Sequence, residues 1–344
     1  MNSMERVMTT LGHKEPDRVP VFHMLTHYGA KELNIPIEEY FSKSEYVAEA
    51  QLLMRKKYSN DCLYTFFYAS IEIEAFGGEV FFTQDGPTNS GAPFIKNIEQ
   101  IKNIVAPKIN DSASLQRVLK TTRILKKSVK EEVPIIAVVM SPFSLPVMQM
   151  GFEKYLELLY FKKDEFDQLM KINEEFCVSW ANAQLDAGAT AICYFDPLAS
   201  PTIIERSKYL ETGYKVAKKT ISQIKGATAT HLASGIALPV VNDIADTGSI
   251  IIGFSGKDDI KTMKKLAFDK VSLLGNLSGI DMINWNKEKA ENEVRELIQQ
   301  AAPGGGFILS DNHGEIPWQV PEDVLLQISE SVKKYGTYPI KVKE

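Results

Sequence analysis

Eight short apolar runs recur along the chain, and this repetition limits the fold more than any other feature of the sequence. Most of the runs are continuously apolar instead of alternating with polar residues, which is typical of parallel strands covered on both faces. We interpret as strands Arg18–Met24, Cys62–Phe67, Pro134–Met140, Thr190–Phe195, Ala227–His231, Ser249–Phe254, Val271–Gly275 and Gly306–Ser310. This pattern predicts an α/β fold built on one parallel sheet.

Helical patterns, with apolar residues three and four positions apart, fill the intervals between these runs. The clearest are Val47–Tyr58, Phe152–Leu159, Phe166–Asp186, Ile204–Lys225 and Asp258–Phe268. Eight strands that alternate with helices predict a (β/α)₈ TIM barrel, with residues 1–344 forming a single domain. A doubly wound sheet is the alternative, but no G-x-G-x-x-G follows the first strand to support it.

One segment interrupts the alternation. Phe76–Pro93 is rich in Gly, Pro, Asn and Thr and contains a short extended piece, Glu79–Phe82. It therefore predicts a loop or hairpin inserted at the rim of the barrel. Gly304-Gly305-Gly306 precedes a strand and does not open a helix, so we interpret it as a loop and not as a phosphate-binding turn.

Composition narrows the class of protein further. Hydrophobic residues make up 44% of the chain, enough for a sizeable core, and the net charge of −5 lacks the positive field that general nucleic-acid binding needs. Cys62, Cys177 and Cys193 are too widely separated to indicate a disulfide framework or a cysteine-based zinc knuckle. With no apolar leader and no apolar stretch of membrane-spanning length, we expect a soluble protein in the reducing cytoplasm, with neither nucleic acid nor membrane as a partner.

Polar side chains follow most of the predicted strands, at the barrel end where chemistry is usually found. Four of the five histidines lie at such positions. In chain order the candidates are His23, His27, Tyr68, Glu72, Glu74, Ser141, Asp196, His231, Ser255, Asn276, Asp311, Asn312 and His313. From the residues alone, this indicates a barrel enzyme whose mouth carries histidines and carboxylates.

The histidines differ in how strongly they indicate function. His23 continues an apolar strand and is either a hydrogen-bonded core histidine or a site residue. His27 lies where the chain turns into a polar helix and is expected at the surface. His231 and His313 stand beside small or polar residues at strand ends, which favours a functional role for both.

The carboxylates also have two interpretations each. Glu72 and Glu74 are two positions apart and point in different directions on a helix, so at most one should face the site. Asp196, in Phe195-Asp196-Pro197, is either a site carboxylate or the cap of the following helix.

Five segments, taken in order, resemble the uroporphyrinogen decarboxylase superfamily. They extend over nearly the whole chain and read EPDRVPV from Glu15, EIEAFG from Glu72, SPFS from Ser141, FDPLAS from Phe195 and ILSDNHG from Ile308. The resemblance implies one (β/α)₈ barrel with its site at the strand ends, in agreement with the strand count. It also implies a homodimer.

The decarboxylases of that superfamily use arginines after the first strand and an aspartate after the second. Here the first strand is followed by Met24-Leu25-Thr26-His27-Tyr28-Gly29 without an arginine, and Tyr68 occupies the position expected for the aspartate. A tetrapyrrole with eight carboxylates would therefore meet no guanidinium group here. These departures oppose uroporphyrinogen decarboxylase activity, although His313-Gly314 is retained.

The other branch contains cobamide-dependent methyltransferases, which the Glu72–Gly77 segment resembles more closely. The thiol-methylating members hold zinc with a His-x-Cys pair after the fifth strand and a cysteine after the eighth. Here the pair reads His231-Leu232-Ala233, and His313 stands at the last position. Zinc held by nitrogen and oxygen ligands would be a harder Lewis acid, suited to a methyl ether or amine. Without zinc, His231 or His313 would instead donate a proton to the leaving group.

The resemblance therefore predicts a methyltransferase that moves a methyl group between a small methylated substrate and the cobalt of a separate corrinoid protein. The expected catalytic residues are His231, His313, Tyr68 and Asp196. The expected substrate-binding residues are His23, Glu72, Ser141, Asn276 and Asp311. If zinc is bound, its expected ligands are His231, His313 and Glu72. The alternatives are a decarboxylase or lyase acting on a tetrapyrrole or another acid, and a non-enzymatic barrel that binds a corrinoid or tetrapyrrole.

Overall fold

The computed structural model describes residues 1–341 and contains the predicted barrel. Its eight parallel strands pair in the order β1-β10-β9-β8-β7-β6-β5-β2. They are β1 Val21–Phe22, β2 Leu63–Tyr64, β5 Ile135–Met140, β6 Ala191–Phe195, β7 Ala227–His231, β8 Ile251–Gly253, β9 Ser272–Leu277 and β10 Phe307–Asp311. The remaining pair, β3 Val80–Phe81 and β4 Asn89–Ser90, forms an antiparallel hairpin within the predicted rim insertion. The (β/α)₈ fold predicted from the sequence is confirmed.

Helices cover the outside of the barrel, and a helix also lies across its N-terminal end. They are α1 Ser3–Leu11, α2 Tyr28–Leu33, α3 Ile37–Ser42, α4 Ser44–Lys57, α5 Ile71–Ala75, α6 Ala113–Val129, α7 Pro146–Met150, α8 Phe152–Phe161, α9 Lys163–Asp186, α10 Arg206–Glu211, α11 Gly213–Ile221, α12 Val241–Asp246, α13 Ile260–Ala267, α14 Lys287–Ala301 and α15 Glu322–Tyr335. Within residues 1–341, no helix has both the length and the apolar character needed to cross a membrane.

One predicted helix is wrong in its continuity. The pattern Ile204–Lys225 predicts a single helix, but α10 and α11 are separated by Thr212, whose φ of −125° and ψ of −86° lie outside the helical region. Gly213 begins the second helix against Phe143, where a Cβ would lie only 2.6 Å from the ring. Close packing at this point therefore overrides the apolar periodicity. The Gly304–Gly306 segment is a loop, as predicted.

Two cores are separated by the sheet. Side chains that point into the barrel form the smaller one, which includes Phe22, Tyr64, Cys193, Ala229 and Ile308 and is covered from below by Val7 of α1. The larger core lies between the outer face of the sheet and the surrounding helices. Because successive side chains of a strand point to opposite faces, each strand contributes to both cores.

Side chains close the barrel between β1 and β2, where no ladder of backbone hydrogen bonds forms. The amide of Asn60 accepts from the His23 backbone N–H (2.6 Å) and donates to the His23 carbonyl (3.0 Å). The Asp61 backbone N–H donates to the Val21 carbonyl (2.8 Å), and the Asp61 carboxylate accepts from the Val21 N–H (2.9 Å). These two consecutive residues thus take the place of a strand ladder.

Asp61 is also the centre of a buried ionic cluster at the N-terminal end of the barrel. Its carboxylate accepts hydrogen bonds from the guanidinium groups of Arg6 (2.7 Å) and Arg18 (2.7 Å) and from the Ser3 hydroxyl (3.0 Å). The Asp61 side chain is 1% exposed. The closure of the barrel therefore depends on a carboxylate whose charge is balanced by two arginines.

Candidate active site at the mouth of the barrel

His231 is the last residue of β7 and points into the barrel. Its ring is fully buried and stacks on Phe195 of the neighbouring strand, with ring centroids 5.2 Å apart and planes 7° apart. Gly253 of β8 leaves the space for the ring, because a Cβ there would lie 2.3 Å from His231 Cδ2. The sequence thus places an aromatic ring on one side of the imidazole and a glycine, which has no side chain, on the other.

The two ring nitrogens of His231 have different roles. Nδ1 accepts a hydrogen bond from the Ala233 backbone N–H (3.1 Å), so the hydrogen of the neutral ring is on Nε2. Nε2 is buried and has no partner among the described residues. Burial, with a smaller effect from the nearby His313, lowers the pKa of His231 to about 3, so the ring is neutral at physiological pH. His231 therefore presents a fixed, unused N–H donor at the mouth.

His313 lies beside this donor on the turn that follows β10. Its ring is exposed, and Nδ1 lies 2.9 Å from the hydroxyl of Ser234 in the loop after β7. Asp311 holds the turn, because its carboxylate accepts from the backbone N–H groups of His313 (3.0 Å) and Gly314 (2.9 Å). Burial raises the pKa of Asp311. Asp311, predicted as a substrate ligand, thus positions His313 through the backbone.

Tyr64 and Glu315, which the sequence analysis left out, also belong to the mouth. Tyr64 points into the barrel from β2, and its hydroxyl donates to the Gly314 carbonyl (3.1 Å). Glu315 accepts hydrogen bonds from His27 Nδ1 and the Thr26 hydroxyl. His27 was expected at the surface but is only 2% exposed. The alternation of inward side chains along Cys62–Phe66 would have identified Tyr64, whereas the sequence carries no signal for the contact between Thr26-His27 and Glu315.

His23 lies on the outer side of the sheet and away from the mouth, so the structure gives no support to its prediction as a substrate-binding residue. Its ring is packed between β1 and the outer helices, edge-on to Tyr58 and with Nε2 3.2 Å from the Ser329 hydroxyl of α15. Burial lowers the pKa of His23 to about 4, so this histidine is a neutral core residue. Its surroundings are those of the hydrogen-bonded core histidine that the sequence analysis gave as one of two interpretations.

The polar atoms of Tyr68 and Glu72 also form their contacts away from the mouth of the barrel. The Tyr68 hydroxyl donates to Glu74 (2.6 Å), and its ring packs edge-on against Phe41 and Phe82. Glu72 accepts a hydrogen bond from the Met140 N–H (2.9 Å) at the end of β5, and its second oxygen is buried without a partner. Neither side chain contacts His231 or His313, so the structure does not support a catalytic Tyr68 or a shared role for Glu72.

Asp196 and Ser141 form a buried turn on the outer side of the strands. The Asp196 carboxylate accepts from the hydroxyls of Ser141 (2.7 Å) and Ser144 (2.6 Å) and is close enough to Tyr194 and Tyr209 to affect both phenols. Burial raises the pKa of Asp196 to about 6. The Asp196 side chain makes no capping hydrogen bond to the short turn that follows it, and its second oxygen is buried without a partner among the described residues, so the role of Asp196 stays a prediction. The Ser141 hydroxyl is used inside the fold instead of at the mouth.

Asn276 lies on β9 and is half-buried. Its amide donates to the Ser255 carbonyl (2.9 Å) and it lines a polar cavity of about 370 Å³ with Asp281 and Lys289. This cavity lies against α14 and does not include the histidines of the mouth. The prediction that Asn276 binds the substrate stays untested.

The residues at the mouth do not fit a zinc ion. In residues 1–341, no three His, Cys, Asp or Glu side chains lie together as ligands, so His231, His313 and Glu72 do not form the expected set. A ligating imidazole nitrogen must offer a lone pair, whereas the Ala233 hydrogen bond places the hydrogen of His231 on Nε2. The thiols of Cys62 and Cys193 do not complete a ligand set, because both belong to the apolar core inside the barrel.

Gly253→Ala should disturb the site without a direct loss of any functional group. The new methyl group would overlap His231 Cδ2, so the imidazole must leave its position on Phe195. We expect kcat to fall at least tenfold with a cost in stability of about 1–3 kcal/mol, which is typical of overpacking. Steady-state kinetics and urea unfolding measure the two effects. Wild-type kcat in this variant would show that the position of the His231 ring is unimportant.

Glu72 should make stability fall as pH rises through neutrality. Burial raises its pKa to about 8 in the folded protein from an ordinary value of 4.5, so the folded state holds a proton that the unfolded chain has lost. The stabilisation is complete below the unfolded pKa and is lost as pH approaches 8, with a slope of up to about 1.4 kcal/mol per pH unit. The interval from pH 7.5 to 8 best isolates this effect, because His231 and His23 titrate near 6.5 in the unfolded chain and below that in the folded protein, where they give a slope of the opposite sign.

The test is the urea midpoint of wild type and Glu72→Gln across that interval. The variant should lose most of the slope, because glutamine has no proton to release. An equal slope in both proteins would assign the pH dependence to another group.

Comparisons with known proteins agree with the geometry of the barrel. Residues 2–335 match the family described as uroporphyrinogen decarboxylase (URO-D). A methylcobamide:CoM methyltransferase of Methanosarcina barkeri is 25% identical over 319 residues, which are 88% of this chain and 91% of the relative. A uroporphyrinogen decarboxylase of Actinobacillus pleuropneumoniae is 24% identical over 308 residues, 85% of each chain.

Among solved structures, a methyltransferase from Methanosarcina mazei superposes with a TM-score of 0.87 at 21% identity, covering 97% of this chain and 99% of the other. This likeness shows the same fold. The family model matches almost the entire length of the chain. The chain belongs to the uroporphyrinogen decarboxylase (URO-D) family.

Proposed function

We propose that this protein is a methyltransferase that moves a methyl group between a small methylated substrate and a corrinoid carried by a separate protein. The observation that carries the proposal is the unpartnered Nε2–H of His231, a neutral donor held at the C-terminal end of the barrel beside His313. The similarity to a methylcobamide:CoM methyltransferase over 88% of the chain supports this class of reaction.

The chemistry requires a group that stabilises negative charge. When the methyl group leaves a methyl ether, amine or thioether, the bonding electrons stay on the oxygen, nitrogen or sulfur, which then needs a hydrogen-bond donor and finally a proton. The corrinoid supplies the cobalt that takes or gives the methyl group. His231 is suited to the first task, because a fixed donor in a buried site stabilises developing charge without reorganisation.

Proton delivery belongs to His313 in this proposal. A neutral His231 cannot release its Nε2 hydrogen without forming an imidazolate, so it hydrogen-bonds but does not protonate. His313 is exposed to solvent, and Asp311 holds its backbone in place beside the mouth. This division assigns one role to each of the two histidines that the sequence favoured.

The arginines oppose the decarboxylase alternative. Arg6 and Arg18 bind Asp61 at the N-terminal end of the barrel, Arg206 pairs with Asp243, and Arg117 lies near Glu74. In the part of the chain that the structure describes, no arginine forms an ion pair with a residue of the mouth. A polycarboxylate tetrapyrrole would need such cations to offset its own charge.

The experiment is a methyl-transfer assay in both directions under anaerobic conditions. Free methylcobalamin is mixed with the protein and a thiol such as coenzyme M. In parallel, cob(I)alamin is mixed with methanol, methylamines or aryl methyl ethers. Absorbance of the corrinoid reports turnover, and we expect it with at least one compound. No transfer in either direction, together with decarboxylation of uroporphyrinogen, would replace the proposal with the alternative. Tight corrinoid binding without turnover would indicate a carrier.

A further inference from the structure

Besides His231 and His313, a third imidazole lies at the mouth of the barrel. Glu315 follows His313 by two positions, and its carboxylate accepts hydrogen bonds from His27 Nδ1 and from the Thr26 hydroxyl. The Glu315 side chain is 17% exposed, whereas His27 is 2% exposed and stacks on Trp318 with ring centroids 6.0 Å apart. The ring of His27 is thus fixed by a carboxylate at one edge and an indole on one face.

The hydrogen-bond pattern of His27 is the reverse of that of His231. A carboxylate only accepts, so Nδ1 of His27 carries the hydrogen and Nε2 of the neutral ring has a free lone pair. This Nε2 is buried and has no partner among the described residues. The mouth therefore contains one unused donor, on His231, and one unused acceptor, on His27.

Two consecutive residues of the loop after β10, Gly314 and Glu315, contact the His231 and His27 rings respectively. Gly314 packs against His231, since a Cβ at this glycine would lie 3.5 Å from His231 Cε1. Glu315, the next residue, binds His27. The Gly314–Glu315 peptide thus connects both imidazoles, and Tyr64 ties this peptide to the barrel wall through the Gly314 carbonyl.

We propose that His27, oriented by Glu315, is a further substrate-contacting residue that accepts a hydrogen bond at Nε2 from an O–H, N–H or S–H group of the substrate. Buried imidazoles with a carboxylate at one nitrogen recur where the other nitrogen binds a ligand or takes a proton. In the methyl-accepting direction, the alcohol, amine or thiol must lose its proton as its new bond to carbon forms. His27 Nε2 would receive that hydrogen as the acceptor atom uses its lone pair to bond to the methyl carbon. This inference rests on the proposed methyl transfer and adds the group that recognises the protonated acceptor.

The first test measures which ring nitrogen of His27 carries the hydrogen. The chain has five histidines, so protein labelled with ¹⁵N-histidine gives a spectrum that single variants can assign. We expect His27 to carry its hydrogen on Nδ1 and His231 to carry its hydrogen on Nε2. Glu315→Gln should change the His27 signals and leave those of His231 in place. A hydrogen on Nε2 of His27 in the wild-type protein would overturn the proposal.

The second test uses the methyl-transfer assay with the acceptor found active for wild type. We expect His27→Ala to lower kcat/KM by about 100-fold and Glu315→Gln by about 10-fold to 100-fold, the range for residues that orient a ligating or catalytic imidazole. His23→Asn is the matched control, because His23 is a buried neutral imidazole on the outer side of the sheet and its loss should leave the activity unchanged. His27→Gln, which keeps an acceptor on a side chain of similar reach, should recover part of the loss.

The outcomes separate the two proposals. If wild type transfers no methyl group in either direction, the proposed function fails and the role of His27 fails with it. If wild type is active and folded His27→Ala has unchanged kcat and KM, only the inference about His27 is wrong. A variant that loses thermal stability but keeps its kinetic constants would assign His27–Glu315 a structural role and likewise overturn the proposal.

Discussion

His231→Asn should lower kcat of methyl transfer by about 10²–10³-fold, the cost of removing one preorganised hydrogen-bond donor from a buried site. Asparagine places its amide oxygen near the position of Nδ1, so the hydrogen bond from the Ala233 N–H is retained while the Nε2 donor is lost. The variant therefore tests the donor and not the local fold. The measurement is single-turnover kinetics with methylcobalamin, together with circular dichroism to confirm folding.

The matched control is His23→Asn. His23 is also a buried neutral imidazole, but it lies on the outer side of the sheet against Ser329. We expect a lower melting temperature and an unchanged kcat for this variant. If His231→Asn is as active as wild type, or if both variants lose activity equally, the assignment of His231 as the charge-stabilising donor is wrong.

Asp61→Ala should produce a large loss of stability, about 3–5 kcal/mol. The substitution removes the acceptor shared by Arg6 and Arg18 and leaves two guanidinium groups partly buried without their anion. It also removes the side-chain contact to the Val21 N–H that helps to close the barrel. The free energy of unfolding, from urea denaturation at pH 7, measures the effect.

Asp243→Ala is the comparison for that experiment. Asp243 forms a bidentate pair with Arg206 at the surface, at 2.8 Å for each bond, but Arg206 is exposed. Such pairs contribute little to stability, so the urea midpoint should move only slightly. An equally small shift for Asp61→Ala would show that the ionic cluster at the N-terminal end of the barrel does not hold β1 to β2.

The fold could be predicted because each strand is marked by its own short apolar run. Ala227–His231 is a strand with the predicted bounds, and the other seven predicted strands each overlap an observed one. The split between α10 and α11 could not be predicted, since it depends on Gly213 meeting Phe143 from a distant part of the chain. Apolar periodicity reports which residues are buried but not which neighbour they meet.

A position at the end of a strand predicts that a residue lies near the mouth of the barrel. It does not predict whether the side chain points into the barrel or toward the outer helices, so the site was predicted only in part. Phe195 stacks on His231 inside the barrel, so Asp196, its neighbour in sequence, lies toward the helices. The same alternation places His23 outside, between the inward side chains of Phe22 and Met24. Counting the period of two along each strand would have predicted both orientations. The contact of His27 with Glu315 joins the two ends of the barrel sequence and follows only from closure.

The side-chain closure between β1 and β2 also bears on how this protein stays apart from other copies of itself. As a hydrogen-bonded ladder, the sheet is open, with β1 and β2 as its two edges. Exposed strand edges are templates on which other chains can pair and aggregate. Asn60 and Asp61 satisfy the backbone groups of Val21 and His23 with their side chains and with one backbone N–H, so these groups are no longer free to pair with a foreign strand. Two consecutive polar residues thereby protect the protein against edge-to-edge association as well as completing its barrel.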